Sequence, residues 1–382
     1  MYPDSWKSTT LGAYAEVIMG QSPESDYYSS DCSQTPFLQG CRTFGTKFPK
    51  FDTYTSKVTK LAPKGSVILS VRAPVGETNM AQSELCLGRG VAALVSKDQD
   101  NEFLYYLVRS LAPLMNQNEN GSTFGSINRD GLRNLPISLP DVDERSKIGH
   151  ILSTIDDKIE LNLTINDNLL LQKQTAFKQL MLTVSNSDLT TLESVAKLQK
   201  QTWKPSECSE ILEHYSIPAF DEKKYPSFDV STTIQSNKTI VTADCILVSK
   251  LNPETKRVWR PICITDKAVC STEFLAIIPK KKEYAQYVYS IIDSDEFTEY
   301  LINNATGTTG SRQRVLPGTA MLFELPLPQI SVIKDYSNLS ESIENKIKNN
   351  LLEIQKLTEL RNYLLPKLMS GEMDVSTLEI PN

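Results

Sequence analysis

The sequence predicts an α/β (α+β) chain: two globular mixed α/β domains separated by two long antiparallel coiled-coil helices, the whole forming an internal tandem repeat. Three observations lead there. Short motifs recur in the same order in both halves, and each half ends in a long stretch with apolar residues every three or four positions. The parts between combine short β-type runs with short helical ones.

The repeat comes first because it constrains everything else. Thr9-Thr10-Leu11 returns as Thr190-Thr191-Leu192, and ILSVRAP (Ile68 to Pro74) as ILVSKLNP (Ile246 to Pro253). EFLYYLV (Glu102 to Val108) is answered by EYAQYVY (Glu283 to Tyr289), and GSTFGS (Gly121 to Ser126) by TGTTGS (Thr306 to Ser311). IDDKIELN (Ile155 to Asn162) matches IENKIKNN (Ile343 to Asn350). The order never breaks, and each change of offset needs only a short insertion.

Along the chain this gives a first domain over 1–142, a helix over 143–184, a second domain over 185–330, a helix over 331–370 and a tail over 371–382. SVILSV (Ser66 to Val71) and CILVS (Cys245 to Ser249) are β-type runs, while NEFLYYLVRSLAPLM and EYAQYVYSII have helical spacing. Leu135-Pro136 to Leu139-Pro140 and Leu325-Pro326-Leu327-Pro328 break the chain before each long helix, because proline disfavours helix in the residue preceding it. In the long stretches Ile148, Leu152, Ile155 and Ile159 lead to Asn162 and Asn166, and Ile343 and Ile347 lead to Asn350. Such spacing over several heptads reads as a coiled coil with Ile155, Ile159, Asn162, Ile343, Ile347 and Asn350 on the seam. A buried asparagine there lowers stability but fixes register. A helix of about 35–40 residues spans roughly 50–60 Å, the length of a stiff spacer.

At 382 residues the chain has room for two domains, and its 40% apolar, 23% charged composition is that of folded protein. No run approaches the ~18 apolar residues of a spanning helix. The start MYPDSWKSTT lacks the regions of a signal peptide, and the seven cysteines contain no C-x-x-C pair. Together these features lead to the expectation of a cytoplasmic location. A net charge of −6 argues against nucleic-acid binding until it is read locally. Residues 42–72 carry seven cations against Asp52 alone, and residues 223–260 carry seven against Asp229, Asp244 and Glu254. Basic patches at matched places in two halves suit phosphate contact.

Catalytic chemistry has no evident home. His150 (on a helix face) and His214 (in a loop) are the only histidines, and neither has metal-ligand spacing. No phosphate-binding G-x-x-x-x-G-K-[ST] loop occurs. Asn252-Pro253-Glu254 is the nearest approach to an amino-methyltransferase loop, and it fails. Asp221, Glu222 and Lys224 have the composition of a metal-dependent nuclease site, but so short a match is common by chance. Asp141, Asp143 and Glu144 read as acidic residues favouring a helix start. No catalytic or metal-ligating residue is therefore assigned.

LGAYAEVIMGQSP and PFLQG in the first domain, YSIPAFD, SNK, ILVSKLNP, RVW and STEF in the second, GSTFGSINRDGLRNLPISLP, and LTELRNYLLPKLMSGEMDV near the end together resemble the specificity (S) subunit of type I restriction–modification systems. The resemblance covers nearly the whole chain. It implies that each globular part is a target-recognition domain reading half of a bipartite site in double-stranded DNA. It also implies that the helices set the spacer and dock two methyltransferase subunits, with nuclease/translocase subunits joining the full complex. S-adenosylmethionine is then expected on the methyltransferase partner, not on this chain, which is a non-catalytic recognition subunit. The departures are that the second domain lacks a counterpart to Trp6, and that its Gly-Gln-Ser-Pro loop becomes KQTWKPS.

Arg pairs with guanine and Asn or Gln with adenine at base edges. Arg72, Lys250, Arg257, Arg260, Arg312 and Arg314 are therefore the first DNA-contact candidates, followed by Gln21, Asn237 and Gln313. Ser22, Lys47, Lys50, Lys223, Lys224 and Lys256 join them. Ser122, Thr123, Thr308 and Ser311 stand in small-residue loops whose N–H groups suit phosphate. The rival reading is a duplicated coiled-coil scaffold that assembles proteins without reading DNA; salt-sensitive duplex binding separates the two.

Overall fold

The computed structural model describes residues 3–117, 125–184, 188–205, 209–307, 313–376 and 378. The chain divides into two compact units, Met1–Thr164 with Leu352–Asn382, and Ile165–Leu351. The long helices are Val142–Thr183 and Ile330–Met369, so each unit holds one globular head and a segment of both helices.

In the first head Lys7–Thr10 pairs antiparallel with Pro136–Leu139, so the proline-flanked segment before the helix is itself a strand. A four-stranded sheet runs in the order Ala15–Met19, Val91–Ser96, Val67–Ser70, Thr78–Met80. Its central strands read as unbroken apolar runs because both faces are buried. A second sheet runs Tyr28–Ser29, Tyr54–Thr55, Thr35–Leu38, Leu85–Leu87, Leu61–Ala62, with one parallel pair, Thr35–Leu38 on Leu85–Leu87. Helix Asn101–Ser110 is capped by Asp100, whose side chain accepts the Phe103 N–H at 3.2 Å, and it buries Phe103 to Val108.

The second head repeats this plan. Leu189–Thr191 pairs with Glu324–Pro326, and the four-stranded order is Ala196–Leu198, Phe274–Pro279, Ile246–Ser249, Val258–Trp259. Its five-stranded sheet again contains one parallel pair, Ile211–Tyr215 on Ala268–Ser271. The difference lies at the edges. Tyr28–Ser29 is added beyond Tyr54–Thr55 in the first head, whereas Thr202–Trp203 is added at the opposite edge in the second. The Thr202–Trp203 strand lies within the KQTWKPS segment, which explains why that segment has no loop-for-loop counterpart.

Backbone pairing also corrects one detail of the repeat. Arg72 bridges Ser126, and its structural equivalent Leu251 bridges Arg314. Ile127 N–H donates to the Val71 carbonyl as Val315 N–H does to Lys250. Ser126 thus corresponds to Arg314, not to Ser311.

The acidic helix start behaves as expected, since Asp141 Oδ1 accepts the Glu144 N–H at 2.9 Å. Ile148, Leu152, Ile155, Ile159, Asn162 and Asn166 are all buried; on the second helix Ile343 and Asn350 are buried and Ile347 half-buried. In the first unit Asn162 Nδ2 donates to Glu353 Oε2 at 3.0 Å. In the second unit Asn350 Nδ2 donates to Asn166 Oδ1 at 2.7 Å. Within each unit the partner's number falls as the helix residue's rises, so the segments run antiparallel.

Each helix pair also holds a buried ion pair. In the first unit Arg361 Nη1 meets Asp156 Oδ1 at 2.7 Å, and Asp156, fully buried, also accepts the Tyr106 hydroxyl at 2.9 Å. In the second unit Lys173 pairs with Glu344 and lies 3.6 Å from the centre of the Tyr289 ring.

The first core gathers Trp6, Leu11 and Phe103 with Ile148 and Leu152 of one long helix and Leu368 of the other, and Val375 of the tail joins it. The second gathers Tyr287 and Phe297 with Phe177, Leu180, Ile333 and Tyr336. Close approach requires glycine at Gly371, at φ +71°, where a Cβ would stand 2.4 Å from Pro3, and at Gly20, where it would stand 2.0 Å from the Gly88 carbonyl oxygen. Among the described residues no helix is long and apolar enough to cross a membrane.

Candidate nucleic-acid interface

The basic segments separate into exposed cations and cations committed within the fold. In the first head Gln21, Lys50 and Arg72 are exposed. Arg72 stands at the end of the buried Val67–Ser70 strand, and no side-chain partner is found for it among the described residues. Ser22 Oγ accepts the Arg89 N–H at 3.1 Å. Arg42 pairs with Asp52 at 2.6 Å, and Lys57 lies over the Tyr27 ring. Lys47 departs from the surface expected of it. It is 4% exposed, its Nζ lies 2.5 Å from Asp157 Oδ1, and its N–H donates to Glu160 Oε1. Two carboxylates on the helix pull it inward.

In the second head Lys223, Lys224 and Asn237 are exposed. Arg257 is held by Asp221 through two hydrogen bonds of 2.7 and 2.9 Å, which also uses the carboxylate that a nuclease reading would need. Arg314 is held in the same way by Glu273, at 3.0 and 3.2 Å, and this partner raises its pKa above the usual arginine value. Lys256 lies 3.3 Å from Asp295, and Arg260 packs over the Tyr289 ring. Lys250 is half-buried where its backbone joins Val315 and Glu273, and Gln313 accepts the Asn252 N–H through its carbonyl. Ser122, Thr123, Thr308, Ser311 and Arg312 lie outside the described residues.

Next to the Arg260 segment lies a polar network that is not apparent from the sequence. Glu213 is fully buried and accepts the Tyr215 hydroxyl and the Thr265 N–H at 2.7 Å. The Tyr215 oxygen in turn accepts the N–H groups of Ile262 and Cys263 at 2.8 and 3.0 Å, fixing the loop that follows Arg260. His214 belongs to the strand Ile211–Tyr215 rather than to a loop. Its Nδ1 lies 2.7 Å from Asp229 Oδ2, and burial lowers its pKa while Asp229 pulls in the other direction. Two polar residues inside the β-like run ILEHY were the available signal. Among the described residues no group of three or more His, Cys, Asp or Glu side chains is placed to hold a metal ion.

Residues 3–171, covering the first head and most of the first helix, match the family model described as "Type I restriction modification DNA specificity domain". Over 163 residues the chain is 37% identical to the putative type I restriction enzyme MjaX specificity subunit of Methanocaldococcus jannaschii, covering 42% of this chain and 38% of that protein. The MjaIX specificity subunit of the same organism is 24% identical over 348 residues, covering 84% of this chain and 80% of the other. A crystal structure of a type I restriction–modification S subunit from M. genitalium has the same fold, with a TM-score of 0.65 at 15% identity, covering 95% of this chain and 96% of that one. The first head and most of the first helix thus resemble a type I restriction–modification DNA specificity domain, and the whole chain shares its fold with an S subunit of such a system.

Proposed function

We propose that this chain is the DNA-reading subunit of a type I restriction–modification complex, each head recognising one half of a bipartite site. The match of residues 3–171 to a DNA specificity domain carries this reading, and the second head, whose four-stranded sheet has the same order, extends it to the other half-site. Exposed cations such as Arg72, Lys50 and Lys223 are suited to phosphate or base contact, phosphate contacts fixing register and a few side chains reading base edges. The two helices set the distance between half-sites and offer the surface on which two methyltransferase subunits dock, with nuclease/translocase subunits completing the assembly. S-adenosylmethionine belongs to the methyltransferase subunit, and the chain alone neither methylates nor cleaves.

The test is methylation mapping of DNA exposed to this chain together with a separately purified methyltransferase subunit and S-adenosylmethionine. A split, two-part methylated motif that appears only when both proteins are present is the expected result. Methylation by this chain alone, or no salt-sensitive duplex binding by the complex, would contradict it.

A further inference from the structure

The two heads treat the same stretch of helix in opposite ways. In the first unit the turn around Lys47 sits on the long helix. Lys47 N–H donates to Glu160 Oε1 at 2.8 Å, its Nζ reaches Asp157, and the Tyr105 hydroxyl donates to the Thr46 carbonyl at 3.3 Å. The repeat equivalents of Asp157 and Glu160 are Asn345 and Lys348. Both line an open cavity of about 500 Å³ in the second unit, together with Lys224, Trp259, Arg260 and Tyr289. Two carboxylates that hold a lysine have become an amide and an ammonium. The sign of the place is inverted.

The remaining charges of the cavity point the same way. Of the charged groups lining it, Lys256 is balanced by Asp293, and Glu344 by Lys173. Lys224, Arg260 and Lys348 then face Glu341 alone. Arg260 Nη1 is buried and has no hydrogen-bond partner among the described residues, although its guanidinium lies over Tyr289. Lys348 Nζ donates to the Ile262 carbonyl at 2.9 Å, a neutral acceptor that leaves its charge unbalanced. A partly desolvated cation is stabilised most by a hydrogen-bonded anion. The wall is held in advance, because Tyr215 fixes the Ile262 and Cys263 backbone. Leu170, Ile347 and Leu351 supply an apolar side.

We propose that this cavity binds a small organic oxyanion, a phosphate or carboxylate on a compact and partly apolar body, with Arg260 and Lys348 as its charge anchors. Lys224, Lys256 and Arg260 of its wall are also among the sequence's DNA-contact candidates, and competition with duplex DNA tells the two roles apart. The full-length chain is titrated with phenyl phosphate and, separately, with benzoate, by calorimetry and tryptophan fluorescence at 150 mM salt. One saturable site for at least one probe is expected, and the tighter probe tells phosphate from carboxylate. Asn345→Asp, an exposed change that restores the first unit's charge, should weaken binding at least tenfold with an unchanged melting temperature. Arg260→Gln should do the same to binding. The proposal fails if neither probe saturates, if affinity survives both substitutions, or if duplex DNA displaces the probe stoichiometrically.

Discussion

Asp156 and Arg361 occupy the same repeat positions as Glu344 and Lys173, so one buried ion pair was carried through the duplication with both members changed. The acid gained a methylene where the base lost length, which keeps the reach across the helix pair. The surroundings differ more. Asp156 is fully buried and also takes the Tyr106 hydroxyl, whose pKa is raised by burial and by that carboxylate. Glu344 keeps 14% of its side chain exposed, and Lys173 relies on the Tyr289 ring as well, its own pKa lowered by burial against the pull of Glu344. The repeat thus conserves a charge pair at the helix seam while its protein environment varies. Buried pairs contribute little net stability, but losing one partner is costly because the other charge stays behind.

Arg361→Met leaves the fully buried Asp156 with the more distant Arg109, 3.9 Å away, as its remaining cation among the described residues, and should cost about 3–5 kcal/mol in denaturant unfolding. Lys173→Met should fall at or below the lower end of that range, since Glu344 can reach water. Replacing both partners, Asp156→Leu with Arg361→Met, should recover most of the loss. Equal losses for the two single variants would mean that burial does not set the difference.

A second contrast concerns DNA. Arg72 is exposed with no side-chain partner among the described residues, whereas Arg314 is already held by Glu273. Arg72→Ala should weaken binding of the assembled complex by about 1–3 kcal/mol at one base position, or lower the salt slope by roughly 1 if the contact is to phosphate. Arg314→Ala should lose less, and a larger loss at Arg314 would place the reading face elsewhere.

The smallest effect is a pH slope confined to the second unit. Burial lowers the His214 pKa against the pull of Asp229, and its buried Nε2 has no partner among the described residues. A base whose folded pKa lies below its unfolded value contributes stability above the ordinary histidine range, near pH 6.5, and loses it as pH falls through the folded value. Thermal melts between pH 7 and pH 5 should show this loss, and His214→Gln should flatten it. An equally steep slope in the variant would assign the titration to another group.

The sequence made some of this legible and hid the rest for physical reasons. The long helices begin and end within a residue or two of the expected bounds, because heptad spacing and flanking prolines are local signals. Asn162 and Asn350 were visible as polar breaks in an apolar row. Their partners, Glu353 and Asn166, depend on the register between two helices far apart in sequence, which local spacing does not fix. Lys173 and Arg361 were legible in principle, since each stands on a seven-residue row, Leu152, Ile159, Asn166, Lys173, Leu180 in one helix and Ile347, Ile354, Arg361, Leu368 in the other. Lys47 looked like its neighbours in a basic run, and only the fold reveals the carboxylates that bury it. For the interface, position separates exposed Arg72 from paired Arg257, and composition could not.

Independent reading of one half-site by each head, as proposed above, is decided by a graft. Because Phe177, Leu180, Ile333 and Tyr336 belong to the second core, the exchangeable piece is the whole unit 165–351, carrying its own Lys173–Glu344 pair. A chimera with this unit taken from a relative is assembled with the methyltransferase subunit, and its methylated sites are mapped. One half of the recognised sequence is expected to change and the other to stay as it was. A change in both halves, or in neither, would contradict it.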